Sequence, residues 1–165
     1  MACVLPSRRY AVVALGGTFD ILHEGHEHLL SRAFELGDKV VIGVTSDRLV
    51  GSLRKTHKVR PYSQRVNDLR KFLRTRRWSS RATISELNES YGPAASRRGL
   101  QALIVSKKTL SSGRRLNELR EQRGLAPLDL RVVDLVLAVD GKPISTTRIR
   151  DGKIDNRGRL HRREE

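Results

Sequence analysis

Apolar positions along the chain come in short runs, separated by longer stretches in which they recur at helical spacing. Tyr10 to Leu15 is a continuous apolar run that stops at Gly16-Gly17, the pattern of a strand buried on both faces. Leu29, Leu30, Ala33, Phe34 and Leu36 then fall on one helical face, and Gly37 marks the helix end. Val40 to Thr45 predicts a second buried strand. Pro61 opens a helix whose apolar positions Tyr62, Val66, Leu69 and Leu73 repeat at i, i+4, i+7 and i+11. Ala82-Thr83-Ile84 and Leu103-Ile104-Val105 predict third and fourth strands. A helix capped by Ser111 or Ser112 carries Leu116 and Leu119 and ends at Gly124. Leu130 to Leu137 predicts a fifth strand, and a short helix follows Pro143-Ile144-Ser145.

Strands joined by helix-length connections require crossovers, so the expectation is an α/β fold: a Rossmann-like, five-stranded parallel sheet with helices on both faces. One domain, residues 1–151, accounts for the pattern. From 152 to 165 the sequence turns polar and basic and predicts a flexible C-terminal tail.

Composition adds a compartment and a class of ligand. No apolar run reaches the roughly 18–20 residues of a membrane span. MACVLPSRRY places its basic residues after the apolar ones, the reverse of a secretory signal. The single cysteine, Cys3, builds no disulfide framework, so a cytoplasmic protein is expected. A net charge of +15 points to anionic ligands. The basic residues are spread along the chain, and seven aromatics offer no base-stacking segment. A basic nucleic-acid-binding protein is therefore the non-enzyme alternative, and no specific nucleic acid is expected as a partner.

The chemistry concentrates at two places. Gly16-Gly17-Thr18-Phe19-Asp20 follows the first strand, and His23-Glu24-Gly25-His26 opens the next helix. Glycines there let backbone amides approach a ligand, and a helix start favours phosphate. The spacing is not that of a dinucleotide-binding G-x-G-x-x-G. His23 and His26 share a face, while His28 points elsewhere. The histidines could ligate zinc, but no further ligands cluster with them; they could simply cap and pack. Two histidines flanking a glycine just after such a turn favour phosphate binding. Near the other end, Ser145 reads as a helix N-cap with Thr146, Thr147 and Arg148 in the first turn, more hydroxyls than a cap requires.

Together these residues resemble the G-T-F-D…H-x-G-H and I-S-T-T-x-I-R signatures of the nucleotidyltransferase superfamily: Gly17 to Asp20, His23 to His26, and Ile144 to Arg150. The intervening Gly43-Val44-Thr45-Ser46-Asp47, Lys58-Val59-Arg60-Pro61-Tyr62, Tyr91-Gly92-Pro93-Ala94 and Asn117-Glu118 are similar to phosphopantetheine adenylyltransferases of the archaeal and eukaryotic type. Asp20-Ile21-Leu22-His23 is the wording of cytidylyltransferases and archaeal FAD synthetases, which with NMN adenylyltransferases are the alternatives. Val139 to Pro143 favours the phosphopantetheine enzyme.

The resemblance implies transfer of AMP from ATP to 4′-phosphopantetheine, giving dephospho-coenzyme A and pyrophosphate. It implies nucleotide contacts from Gly17, Thr18, Phe19, His23, His26, Ser145, Thr146, Thr147 and Arg148. His26, Thr18, Lys58 and Arg148 are the implied catalytic residues. Thr18, Lys55, Lys58 and Arg60 are the implied contacts to the acceptor. Asp20 is read as holding the turn, Arg150 as facing solvent, and Arg114, Arg115 and Arg120 as a solvated helix face. Mg²⁺ is expected on the ATP phosphates, with no protein metal ligands, and a monomer is expected.

Overall fold

The computed structural model describes residues 8–53 and 58–161. Its centre is a five-stranded parallel sheet of β1 (Tyr10–Gly17), β2 (Gly37–Thr45), β3 (Ala82–Leu87), β4 (Ala102–Ser106) and β5 (Asp129–Val133), in the order β3-β2-β1-β4-β5. The order reverses beside β1, which pairs with β2 through Leu15↔Ile42 and with β4 through Ala14↔Leu103. Open sheets of this kind bind ligands at that crevice, beyond the carboxyl ends of the strands.

Alternation along β1 divides the core. Val13 and Leu15 face a cluster with Leu30, Ala33 and Phe34 of α1 (Glu24–Leu36) and with Val66, Leu69 and Leu73 of α3 (Tyr62–Thr75). Val12 and Ala14 face the other cluster, with Leu116 of α4 (Leu110–Gln122), Ala95 and Leu100. Helices therefore cover both faces, as the buried strands require. Between β2 and α3 lies the short α2 (Asp47–Ser52), capped by Ser46, whose Oγ accepts from Leu49 N at 3.1 Å. No helix among the described residues is long and apolar enough to cross a membrane.

Several expectations are corrected. β5 stops at Val133, because the later apolar residues serve another purpose. Leu137 pairs antiparallel with Pro143, and Val136 packs on a separate cluster of Ala138, Ile144 and Ile154. That cluster also overturns the flexible tail for its described part. Ile154 is fully buried, Ile154 bridges Leu160, and Asn156 O accepts from Glu24 N at 3.0 Å. Residues 162–165 lie outside the described residues. The N-cap of α4 is Thr109 rather than either serine. Arg120 is buried, not solvated: its guanidinium donates to the carbonyls of Ala126, Ala94 and Arg97, closing the loops around α4.

Candidate active site

The turn after β1 is the first component. Phe19 adopts φ 52°, a left-handed conformation that a bulky side chain rarely takes, and its ring is buried. A side chain at Gly17 would begin 3.1 Å from that ring, so the glycine is what lets Phe19 fold back beneath the turn. Asp20 follows, 2% exposed. Its carboxylate accepts from Arg60 N at 3.0 Å and Arg60 Nε at 3.3 Å, and from Arg150 at 2.9 Å. Arg150 is thus an internal partner and not a solvent-facing residue. Asp20 joins the turn, the segment before α3 and α5 (Thr146–Arg150). These donors outweigh burial and hold its pKa below the usual carboxylate value.

The histidines form the second component. His23 caps α1 through Nδ1, which accepts from Gly25 N at 3.1 Å, and so keeps its proton on Nε2. Its ring stacks on His26 at 3.9 Å, and Phe19 lies 5.2 Å from His26 on another side. The glycine of the motif has a local cause: a Cβ at Gly25 would sit 2.9 Å from His23 Cε1. Alanine suits a helix better than glycine by up to about 1 kcal/mol. Gly25→Ala is therefore expected to leave the melting temperature nearly unchanged while moving the His23 ring. A displacement near 1 Å at a reacting centre costs about 10²-fold in rate. Thermal melts alongside kcat/KM measurements check this; wild-type activity in the variant would contradict it.

Both imidazoles are neutral. Burial lowers His23 to about 4. His26 falls to about 3, through burial first and the neighbouring His23 second. His26 Nδ1 is buried without a well-formed hydrogen bond, and a backbone interaction with Ile21 opposes the shift only in part. The pair therefore contributes oriented N–H dipoles rather than positive charge. It also makes stability depend on pH. Unfolded histidines take up protons near pH 6.5, whereas these do not until about 4 and 3. Stability is then complete above pH 6.5 and is lost as the pH falls toward 4. Denaturant titration at pH 7.5 and 5.0 should show a loss of about 2–4 kcal/mol from the pair, smaller in His26→Gln. Equal stability at both values would refute it.

The third component is the start of α5. Ser145 Oγ accepts from Arg148 N at 3.3 Å, a cap as predicted. Ser145, Thr146 and Thr147 line a cavity of about 380 Å³, together with Thr18, His23 and His26. A second cavity, of about 250 Å³, opens on the α4 side of the sheet and is mainly apolar, with Leu87, Tyr91, Pro93 and Leu100 in its wall. Gly17 lines this second cavity. Thr18 and Thr109 line both, so the two spaces meet at the point where the strand order reverses.

The predicted cations are placed differently. Arg148 does not line the larger cavity; its guanidinium is held by Asp140 and by the carbonyls of Lys142 and Pro143. Arg60 is bound to Asp20 and Asp68, and Lys58 is exposed and lines neither cavity. Lys55 lies outside the described residues. Two residues gain roles that sequence reasoning missed. Arg65, fully buried, donates to Thr18 O at 2.8 Å, Arg60 O at 2.8 Å and Asp47 at 3.0 Å, and so fixes Thr18 from behind. Its signal was present: it sits on the apolar face of α3, between Tyr62 and Leu69. Lys108, in the loop after β4, lines the larger cavity; a single lysine in a basic chain carries no such signal.

Comparison with known proteins agrees with this geometry. Residues 14–152 match the family model described as cytidylyltransferase-like. The chain is 40% identical over 156 residues to the phosphopantetheine adenylyltransferase of Methanothermobacter thermautotrophicus, covering 94% of this chain and 93% of that protein. To the protein of the same name from Methanopyrus kandleri it is 43% identical over 150 residues, covering 91% and 94%. Among solved structures, a protein of unknown function from Archaeoglobus fulgidus superposes with a TM-score of 0.67 at 31% identity, covering 81% of this chain and 98% of that one. With both sequence signatures brought to one cavity and likeness across nearly its whole length, the chain belongs to the cytidylyltransferase-like nucleotidyltransferases and, among them, to the phosphopantetheine adenylyltransferase family.

Proposed function

We propose that the protein transfers AMP from ATP to 4′-phosphopantetheine, forming dephospho-coenzyme A and pyrophosphate. The observation that carries this reading is the meeting, at Thr18 and Thr109, of a cavity that holds the paired histidines and the hydroxyls of Ser145 to Thr147 with one walled mainly by apolar side chains. The hydroxyls, imidazole N–H groups and Lys108 of the first suit a triphosphate. The apolar one suits the largely aliphatic pantetheine arm, whose phosphate would then reach the junction. A cytoplasmic monomer is part of the same proposal.

A phosphate monoester is ionised near neutral pH, so no side chain has to remove a proton before attack. An acceptor phosphate oxygen bonds to the α-phosphorus, the bond from that phosphorus to the bridging oxygen breaks, and pyrophosphate leaves with the electron pair. Catalysis then rests on positioning and charge stabilisation. His26 donates a hydrogen bond to the α-phosphate, where charge grows at the five-coordinate phosphorus. His23 holds the His26 ring from one side and Phe19 from another. The hydroxyls of Ser145, Thr146 and Thr147 face the β- and γ-phosphates, and Thr18 orients the acceptor.

Among the described residues no group of three or more His, Cys, Asp or Glu is arranged for a metal, and Asp20 is engaged with arginines. This donor set fits Mg²⁺ carried by the triphosphate, which keeps most of its waters. Bound there, it would offset charge on the departing pyrophosphate. Pyrophosphate release with Mg²⁺, pairing ATP or CTP with 4′-phosphopantetheine, glycerol 3-phosphate, FMN or nicotinamide mononucleotide, tests the reading. Release with ATP and 4′-phosphopantetheine alone is expected; release with another pair would replace the substrates and keep the reaction type.

A further inference from the structure

The larger cavity has hydroxyls and neutral imidazoles for a triphosphate, yet the cations expected there are committed elsewhere. Of the described residues that line it, Lys108 alone carries a positive charge. It belongs to the turn that ends β4, beside the point where the strand order reverses. The turn is held from within: Ser106 N donates to Thr109 Oγ1 at 3.0 Å, and Thr109 N donates to Ser106 O at 3.0 Å. Lys107 and Lys108 are its two central residues and have different partners. Lys107 Nζ lies 3.8 Å from Asp134 Oδ1, which also lines the cavity, and offsets that carboxylate. Lys108 is exposed and makes no ion pair among the described residues, so its charge faces the cavity uncompensated.

We propose that Lys108 is the cation that receives the phosphate chain of the nucleoside triphosphate. The assignment rests on reading the cavity as a nucleotidyltransferase site. It supplies the charge that Lys58, Arg60 and Arg148 do not bring to the cavity. A compact ammonium on a four-carbon stem suits a chain of phosphates whose oxygens shift during the reaction, because it needs no fixed planar geometry. A turn braced by Thr109, which lines both cavities, also places this charge close to the junction where pyrophosphate must part from the α-phosphorus.

Calorimetric titration of ATP, CTP, AMP and CMP, with Mg²⁺, into the wild type, Lys108→Gln, Lys108→Arg and Lys71→Gln tests this. Lys71 is an exposed residue of α3, so its variant removes the same charge at a distance from the cavity. Lys108→Gln is expected to bind the preferred triphosphate about 10–100-fold more weakly, the loss of one charge-assisted hydrogen bond. The matching monophosphate should change little. Lys108→Arg should recover most of the affinity, and Lys71→Gln should bind as the wild type. Unchanged triphosphate affinity in Lys108→Gln, or an equal loss in Lys71→Gln, would overturn the assignment while leaving the nucleotidyltransferase reading in place. A wild-type protein that binds neither triphosphate would overturn both.

Discussion

His26→Ala is expected to lower kcat by about 10²–10³-fold, the usual cost of removing one preorganised donor from a centre where charge develops. Binding of ATP should change far less, because the contact to the α-phosphate strengthens only as the phosphorus becomes five-coordinate. The surroundings of the ring suit so selective a role. It is clamped between His23 and Phe19, its Nδ1 is buried, and it stays neutral until the pH approaches about 3. A neutral ring adds no net charge to hold the ground-state triphosphate, a task that the proposed site gives to Lys108 and the hydroxyls of Ser145 to Thr147. Single-turnover rates and ATP titration of the same preparation separate the two effects. A folded variant with wild-type kcat would remove His26 from the reaction.

Asp20→Ala is expected to cost about 2–3 kcal/mol of stability, since it leaves Arg60 N and two part-exposed guanidinium groups without their shared acceptor. For a chain of this size that corresponds to a fall in melting temperature of about 4–12 °C. The carboxylate is the shared acceptor of Arg60 and Arg150, so one substitution loosens the turn after β1, the approach to α3 and the anchoring of α5. Activity should fall as well, because these contacts set Thr18 against the hydroxyls of Ser145 to Thr147. Asp20→Asn, which keeps the shape and loses the charge, should fall between the two. The lowered pKa of Asp20 means that its contribution is present above pH 4 and is lost as the pH falls further. Thermal melts at neutral pH decide the matter: a variant that melts with the wild type would show that the carboxylate does not hold these segments together.

The sheet was legible because each central strand is buried on both faces and reads as an unbroken apolar run. Val40 to Thr45 and Leu103 to Val105 are found where expected. Leu130 to Leu137 misled for the same reason. An apolar run records burial and not the partner, and its second half packs on Ile144 and Ile154 rather than on β4. The tail was misread because the ten polar or charged residues between 152 and 165 outweigh Ile154, although one buried isoleucine and a few backbone bonds suffice to seat its described part.

By itself the sequence determined the α/β class, the order of the elements, the turn after β1, the paired histidines and the capped hydroxyl cluster of α5. Each depends on local spacing or on backbone geometry that glycine and capping residues dictate. Gly17 and Gly25 belong to this set, since each makes room for a side chain only two residues away. Only the tertiary structure decided which partners the charged side chains take. Arg65, Arg120 and Arg150 have the same chemistry as any surface arginine, and their roles arise from carbonyls and a carboxylate distant in sequence. Likewise Arg148 is drawn to Asp140 and Lys108 is left facing the cavity. A long cationic side chain reaches partners in many directions, and the one it takes is set by how the loops meet at the sheet edge.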